Sequence, residues 1–170
     1  ARVGPIGIET IAVGVSVGAR SKCLVDDNGS AKCWGSRING VLGSGDFTWF
    51  CGPNCDLFSW SPESVAMPGD ARAEFLAIGT QTACAILSTG RVACWGRNDV
   101  GQTSSGREET AQVCLAEFCE PAPILVAADM DEVVNLSVGG DHVCAVNQRG
   151  LLYCWGRNDR DQTGLPSDNE

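Results

Sequence analysis

Val138-Gly139-Gly140-Asp141-His142-Val143-Cys144-Ala145-Val146, closed after the turn Gln148-Arg149-Gly150 by Cys154-Trp155-Gly156, is the stretch that decides the fold. It occurs three times. Ile78-Gly79-Thr80-Gln81-Thr82-Ala83-Cys84-Ala85-Ile86 leads to Cys94-Trp95-Gly96, and Val17-Gly18-Ala19-Arg20-Ser21-Lys22-Cys23-Leu24-Val25 leads to Cys33-Trp34-Gly35. The leading cysteines stand at 23, 84 and 144, a period of 61 and then 60 residues. Self-similarity at a fixed spacing marks a chain of tandem supersecondary units.

Within each unit the two cysteines lie ten positions apart, and the midpoint falls in a turn ending in Gly29, Gly90 or Gly150. A three-residue hairpin loop, Asp27-Asn28-Gly29, Ser88-Thr89-Gly90 or Gln148-Arg149-Gly150, puts glycine where a left-handed conformation is needed. Counting back from it pairs Val25 with Ala31, Ile86 with Val92 and Val146 with Leu152. Two rungs further, each cysteine faces its partner. Directly opposed residues of a non-hydrogen-bonded antiparallel pair sit about 4.5 Å apart at Cα, near the lower end of the roughly 4.4–6.8 Å disulfide range. The register predicts Cys23–Cys33, Cys84–Cys94 and Cys144–Cys154, each adding on the order of 2–3 kcal/mol by closing a short loop. Zinc would need four converging ligands with closer cysteine pairs, and no histidine accompanies the first two units.

The template Gly-x-x-His-x-Cys-Ala-Val, turn, Cys-Trp-Gly-x-Asn-x-x-Gly-Gln-Leu-Gly resembles the repeat of the regulator of chromosome condensation family. The likeness is closest to its cysteine-bearing extracellular branch, as in crinkly-type plant receptor kinases. Unit three matches through Gly139, Gly140, His142, Cys144, Ala145, Val146, Cys154, Trp155, Gly156, Asn158, Gln162 and Gly164, with Asp161 and Thr163 departing. Unit two keeps Cys94, Trp95, Gly96, Asn98, Gly101 and Gln102, with Thr82 in place of histidine. Unit one keeps Cys33, Trp34, Gly35, Gly40, Leu42 and Gly43, with Ser21, Arg37 and Val41 departing. The resemblance implies a β-propeller whose units are four-stranded antiparallel blades. Short strands, glycine turns and a repeated tryptophan point to the same all-β class. The expected architecture is three disulfide-stapled blades, forming an open arc or part of a larger propeller. Members of the family include an exchange factor for a small nuclear GTPase, a β-lactamase inhibitor and receptor ectodomains, so fold alone fixes no function.

Composition narrows the function classes. The 170 residues are 44% hydrophobic, enough to bury a core. The net charge is -9 and the cations are scattered singly, so no positive stripe exists to displace counterions from a phosphate backbone. Nucleic acid is excluded as the expected partner. No apolar run approaches the roughly 18 residues of a spanning helix, and Ala1 to Gly7 lack the basic start and apolar stretch of a signal peptide. A start other than Met makes a processed or excised chain the expectation. Ten cysteines fit an oxidising, extracellular setting, which also disfavours the nuclear exchange-factor role.

The sequence reads as one repeat domain over 1–170, with units of approximately 1–46, 58–107 and 120–170 and cysteine-bearing insertions of approximately 47–57 and 108–119. The insertions carry Cys51, Cys55, Cys114 and Cys119 at similar offsets after the Cys-Trp-Gly triplets. Pairing within each loop, Cys51–Cys55 and Cys114–Cys119, ranks first; a shared four-thiolate zinc site and bridges between the loops stay open. Trp49, Phe50, Phe58 and Trp60 surround the first insertion, either as interface anchors or as a small local core. Asn28-Gly29-Ser30 and Asn135-Leu136-Ser137 match the glycosylation acceptor pattern. Asn28 lies at a hairpin tip, and Asn135 lies in a predicted strand, where modification is less favoured.

No catalytic, cofactor or metal constellation emerges. His142 is the only histidine, and its place beside Cys144 makes it structural. No activated serine or phosphate-cradling loop occurs. Asp26 and Asp27 lie in a tight hairpin, and Asp129, Asp131 and Glu132 read as a solvated loop, which argues against calcium. Three blades are too few to close a propeller, so something must cover the ends. The expected function is a non-enzymatic, secreted structural or interaction protein that binds further copies or repeats through its end blades, as a ring or filament. The alternative is a ligand-binding ectodomain of a receptor-like protein, or a secreted inhibitor.

Overall fold

The computed structural model describes residues 7, 10–45, 57–103, 112–114, 117–126 and 130–166. The first sheet holds β1 (Ala12–Val17), β2 (Ser21–Asp26), β3 (Ala31–Ser36) and β4 (Phe58–Ser64), in that order. The second is ordered β5 (Ala73–Ile78), β6 (Thr82–Leu87), β7 (Val92–Arg97), then β9 (Glu117–Leu125), with β8 (Gln112–Cys114) outermost. The third has β10 (Val133–Val138), β11 (His142–Asn147) and β12 (Leu152–Gly156) among the described residues. Adjacent strands are antiparallel throughout.

The central hairpins follow the register count. Val25 lies opposite Ala31, Ile86 opposite Val92 and Val146 opposite Leu152. At each tip the glycine takes a positive φ, 76° at Gly29, 75° at Gly90 and 78° at Gly150. Its N–H donates to the carbonyl of Asp26, Leu87 or Asn147, closing the turn. The Asp26 carboxylate tightens the first tip by accepting from the N–H groups of Asn28 and Ser30. Asn147 does the same for Arg149 and Leu151. Asp26 is therefore a turn anchor.

Cys23–Cys33, Cys84–Cys94 and Cys144–Cys154 are bonded, with Cα separations of 4.1, 4.1 and 4.2 Å. These are shorter than the roughly 4.5 Å of a relaxed opposed pair. The glycine after each tryptophan lies within its strand, opposite Ser21, Thr82 or His142, where the backbone of the residue before that partner leaves no room for a Cβ. Gly96 has φ 99°, and a Cβ there would lie 2.3 Å from the Gln81 carbonyl oxygen.

The unit limits drawn from the sequence shift in one respect. The segment 58–64 pairs with β3, so it is the fourth strand of the first blade and not the start of the second unit. Likewise Glu117–Leu125 pairs with β7 and closes the second blade. Each insertion therefore interrupts a blade between its third and fourth strands. The second insertion adds β8 to that sheet through Cys114–Cys119, which makes it five-stranded instead of four.

Two apolar clusters lie between the sheets. One joins Cys23, Val25, Ala31, Cys33, Val41, Leu42 and Val65 of the first blade to Ala73, Leu76, Ile78, Leu87 and Trp95 of the second. The other joins Cys84, Ile86, Val92 and Cys94 to Val133, Leu136, Val143 and Ala145 of the third. β6 is buried on both faces because it sits between two blades.

Candidate interaction surface

Each blade has two unlike faces. One carries the disulfide and receives the following blade; the other carries the tryptophan and docks onto the preceding blade. The alternation of β-strand side chains separates them: Cys84 and Ile86 point one way along β6, Ala83 and Ala85 the other. Two blade-to-blade joints are present, and they repeat the same bonds.

In the first joint the Trp95 indole donates its Nε1–H to the Val41 carbonyl at 2.9 Å. In the second, Trp155 donates to the Gln102 carbonyl at 2.9 Å. The amide of Ala73 donates to the Gly29 carbonyl, and that of Val133 to the Gly90 carbonyl, both at 2.9 Å. Near the turns that enter β2, β6 and β11, glycines stack closely. A Cβ at Gly18 would lie 2.2 Å from the Gly79 oxygen, and one at Gly79 only 2.0 Å from the Gly139 oxygen. Any side chain there would wedge the blades apart. His142 belongs to the same packing, its ring lying against Gly139.

Loops after the tryptophan add polar contacts. Gln102 accepts from the Val100 N–H and donates to Asp99, while Asn98 accepts from the Thr103 N–H. Gln162, Asp159, Arg160, Asn158 and Thr163 repeat that loop. Burial pushes the Asp99 carboxyl up, but bonds from Gln102 and Arg97 outweigh it and hold the group below the usual carboxylate range. Arg97 bridges Asp99 at 2.7 Å, Glu117 at 2.9 Å and Asp141 of the third blade at 3.4 Å. Arg157 reaches the same Asp141 at 3.2 Å. Asp161 stands where glycine was expected and takes the left-handed conformation, φ 57°, which Asp tolerates better than most residues.

Both ends of this stack present unsatisfied halves of the joint. On the third blade the receiving face is Cys144, Val146, Leu152 and Cys154; Leu152 is 68% exposed, whereas its equivalent Val92 is 2% exposed. Nothing lies within 4 Å of a Cβ built on Gly150, while Gly29 and Gly90 meet Arg72 and Glu132 of the next blade. On the first blade, Val15 and Val17 are 71% and 66% exposed, against 6% for each of their equivalents Leu76 and Ile78. Trp34 Nε1 has no acceptor among the described residues.

The remaining sequence candidates fall around these faces. Phe58 and Trp60 lie in β4 and are exposed, Trp60 at 90%, so they do not form a small core there. Trp49, Phe50, Cys51 and Cys55 lie outside the described residues, as does Asp129. Asn28 is exposed at its hairpin tip, and Asn135, though in β10, is also exposed. The joint bonds of Trp95, Trp155 and the tip glycines were missed from sequence. Their one signal was the recurrence of Trp and Gly at the same unit positions. Among the described residues no helix is long and apolar enough to cross a membrane, and no group of three metal-ligating side chains converges.

The family model described as the regulator of chromosome condensation (RCC1) repeat matches residues 75–102 and 133–162. The chain is 28% identical over 152 residues to the Arabidopsis thaliana RCC1 domain-containing protein RUG3, mitochondrial, covering 89% of this chain and 30% of that protein. It is 27% identical over 164 residues to the Arabidopsis thaliana ultraviolet-B receptor UVR8, covering 96% and 33%. Yeast RCC1 (Prp20), solved bound to Kap60, superposes with a TM-score of 0.75 at 19% identity, over 91% of this chain and 34% of that one. The ectodomain of the Physcomitrella patens receptor kinase CR4 gives 0.55 at 17%, over 99% and 36%. The chain thus spans about a third of the length of each of these relatives. Residues 75–102 and 133–162 thus match the regulator of chromosome condensation repeat, the Cys-Trp-Gly template recurs in all three units, and the chain shares the fold of propeller proteins built from that repeat, here with its hairpin cysteines paired.

Proposed function

We propose that this chain is a non-enzymatic, extracellular protein-interaction module that binds further blades through its end faces, the blades coming from further repeats or further copies in a ring or filament. The observation that carries the reading is the third blade's receiving face. It has the Cys, Val, Leu, Cys pattern of a joint, and Leu152 lies open. Covering a leucine side chain contributes roughly 1.5–3 kcal/mol, so an uncovered face of this composition favours association. Support for an extracellular setting comes from the bonded cysteines, four pairs among the described residues, since such bonds persist in oxidising compartments. Asn28 and Asn135 are then accessible glycan acceptors. The partner is protein, and neither cofactor nor nucleic acid enters the reading.

Sedimentation equilibrium of the 170-residue chain tests it. Mass should rise with concentration, and Leu152→Asp, which puts a carboxylate on the third face without touching a buried group, should return the chain to monomer. A monomer at every accessible concentration, or association indifferent to Leu152→Asp, would sink the blade-binding role. Exposed Trp60 and Phe58 favour a second reading, a ligand-binding receptor-like ectodomain or secreted inhibitor with β4 as the contact strand. Its receptor version fails if the full-length gene product carries no membrane-spanning segment.

A further inference from the structure

The docking face of the first blade is chemically unlike the two faces it repeats. Across β2 and β3 it sets Lys22 opposite Trp34 and Lys32 opposite Leu24, the two lysines and the tryptophan half-buried and Leu24 2% exposed. The same positions are Ala83 and Ala93 in the second blade, each 0% exposed, and Val143 and Tyr153 in the third. Lys22 and Lys32 are the only lysines of the chain. As diagonal neighbours on one face of an antiparallel pair, they lie within about 7–8 Å of each other at Cα.

Arg20 extends the pattern. It is the equivalent of Gln81 and Asp141, since the carbonyls of Arg20, Gln81 and Asp141 accept the same bond, from Ser36, Arg97 and Arg157. In both joints this position is touched by the preceding blade: Asn39 donates to Gln81 at 3.4 Å and Arg97 to Asp141 at 3.4 Å. Arg20, Lys22 and Lys32 have no ion pair among the described residues.

We infer that the first blade's outer face takes a protein segment that carries carboxylates and not the third blade of a second copy, so that a ring or filament needs further repeats and copies of this chain alone meet only through two Leu152 faces. The inference rests on the reading of the end faces as contact surfaces and assigns their partners. Docked as the two joints are docked, a second copy would set Arg157, the equivalent of Arg97, against Arg20, two like charges. It would also bury the Lys22 ammonium where Ala83 and Val143 are fully covered, against a face of Cys, Val, Leu and Cys. An unpaired ammonium taken from water is strongly penalised, because its hydration is lost with no carboxylate to replace it. An acidic segment meets all the features together. Its apolar side chains cover Val15, Val17 and the half-buried Trp34, and its carboxylates pair with Arg20, Lys22 and Lys32. In a chain of net charge -9, three unpaired cations on one apolar face are a local reversal of sign that selects partners.

The test is a titration of the 15N-labelled chain with a synthetic peptide of alternating Glu and Val. Amide shifts should move at residues 12–24 and 31–35, and affinity should fall about tenfold between roughly 0.05 and 0.5 M salt. Lys22→Ala/Lys32→Ala should abolish the shifts while leaving thermal melting unchanged. Shifts confined to other residues, or a double variant that binds as well as the parent, would overturn the inference. A second arm uses Arg20→Asp/Lys22→Val/Lys32→Tyr, which gives the first face the third blade's residues. Mixed with the parent, this variant should show first-face shifts; the parent concentrated alone should show none there. First-face shifts in the concentrated parent would defeat the inference and leave the blade-binding role standing. Association indifferent to Leu152→Asp would do the reverse.

Discussion

At the centre of the first joint the Trp95 indole is fully buried and gives its one N–H to a backbone carbonyl 54 residues earlier in the chain. A buried carbonyl left without its donor costs about 1–3 kcal/mol. Trp95→Phe keeps most of the apolar contact and removes the bond, so it should lower stability by that amount, read as a lower urea midpoint at constant slope. Trp155→Phe should cost less, about 1 kcal/mol, because its joint is part-exposed. That the tryptophan mattered was legible from its threefold recurrence after cysteine. Its acceptor was not, because the Val41 and Gln102 carbonyls are backbone groups of another unit and carry no side-chain signature. Asp161 shows the same limit from the other side. Its departure from glycine was visible, but only the structure shows that the turn still takes φ 57°.

At the scale of elements, the hairpins were fully legible and the blade edges were not. Ten-residue cysteine spacing about a glycine turn leaves one register, and β2–β3, β6–β7 and β11–β12 adopt it. The fourth strands follow long insertions, so their pairing is set by contacts distant in sequence. Pattern alone places the proline-bearing stretches from 58 and from 120 at the start of the following unit, whereas they pair with the strand that precedes the insertion. Because the three hairpin bridges close loops of equal length, chain entropy assigns them equal effects, about 2–3 kcal/mol each. Burial separates them. Cys84 and Cys94 are fully covered by the third blade, while Cys144 and Cys154 are half-open. Cys84→Ala/Cys94→Ala should therefore lower the unfolding free energy more than Cys144→Ala/Cys154→Ala, since it also leaves a cavity between blades. Equal losses in calorimetry would show that the bridges act through the unfolded chain alone.

Across the whole molecule, the repeated joints define what each end can accept. The third face carries the pattern that blades one and two use to receive a neighbour, whereas the first face replaces two small apolar positions with lysine. The need for something to cover the ends was legible from three units of one template. Which face differs was not, because Lys22 and Lys32 read as ordinary solvated charges until their equivalents are seen buried between blades. The fold of these repeats is shared by proteins with different partners, so the chemistry of these two faces is what distinguishes this chain. The most direct measurement is an electron-microscopic image of the native particle. If the chain works by binding further blades, the face bearing Leu152 is covered by a blade, in a ring or a filament. A free three-blade arc, with that face open to solvent, would contradict it.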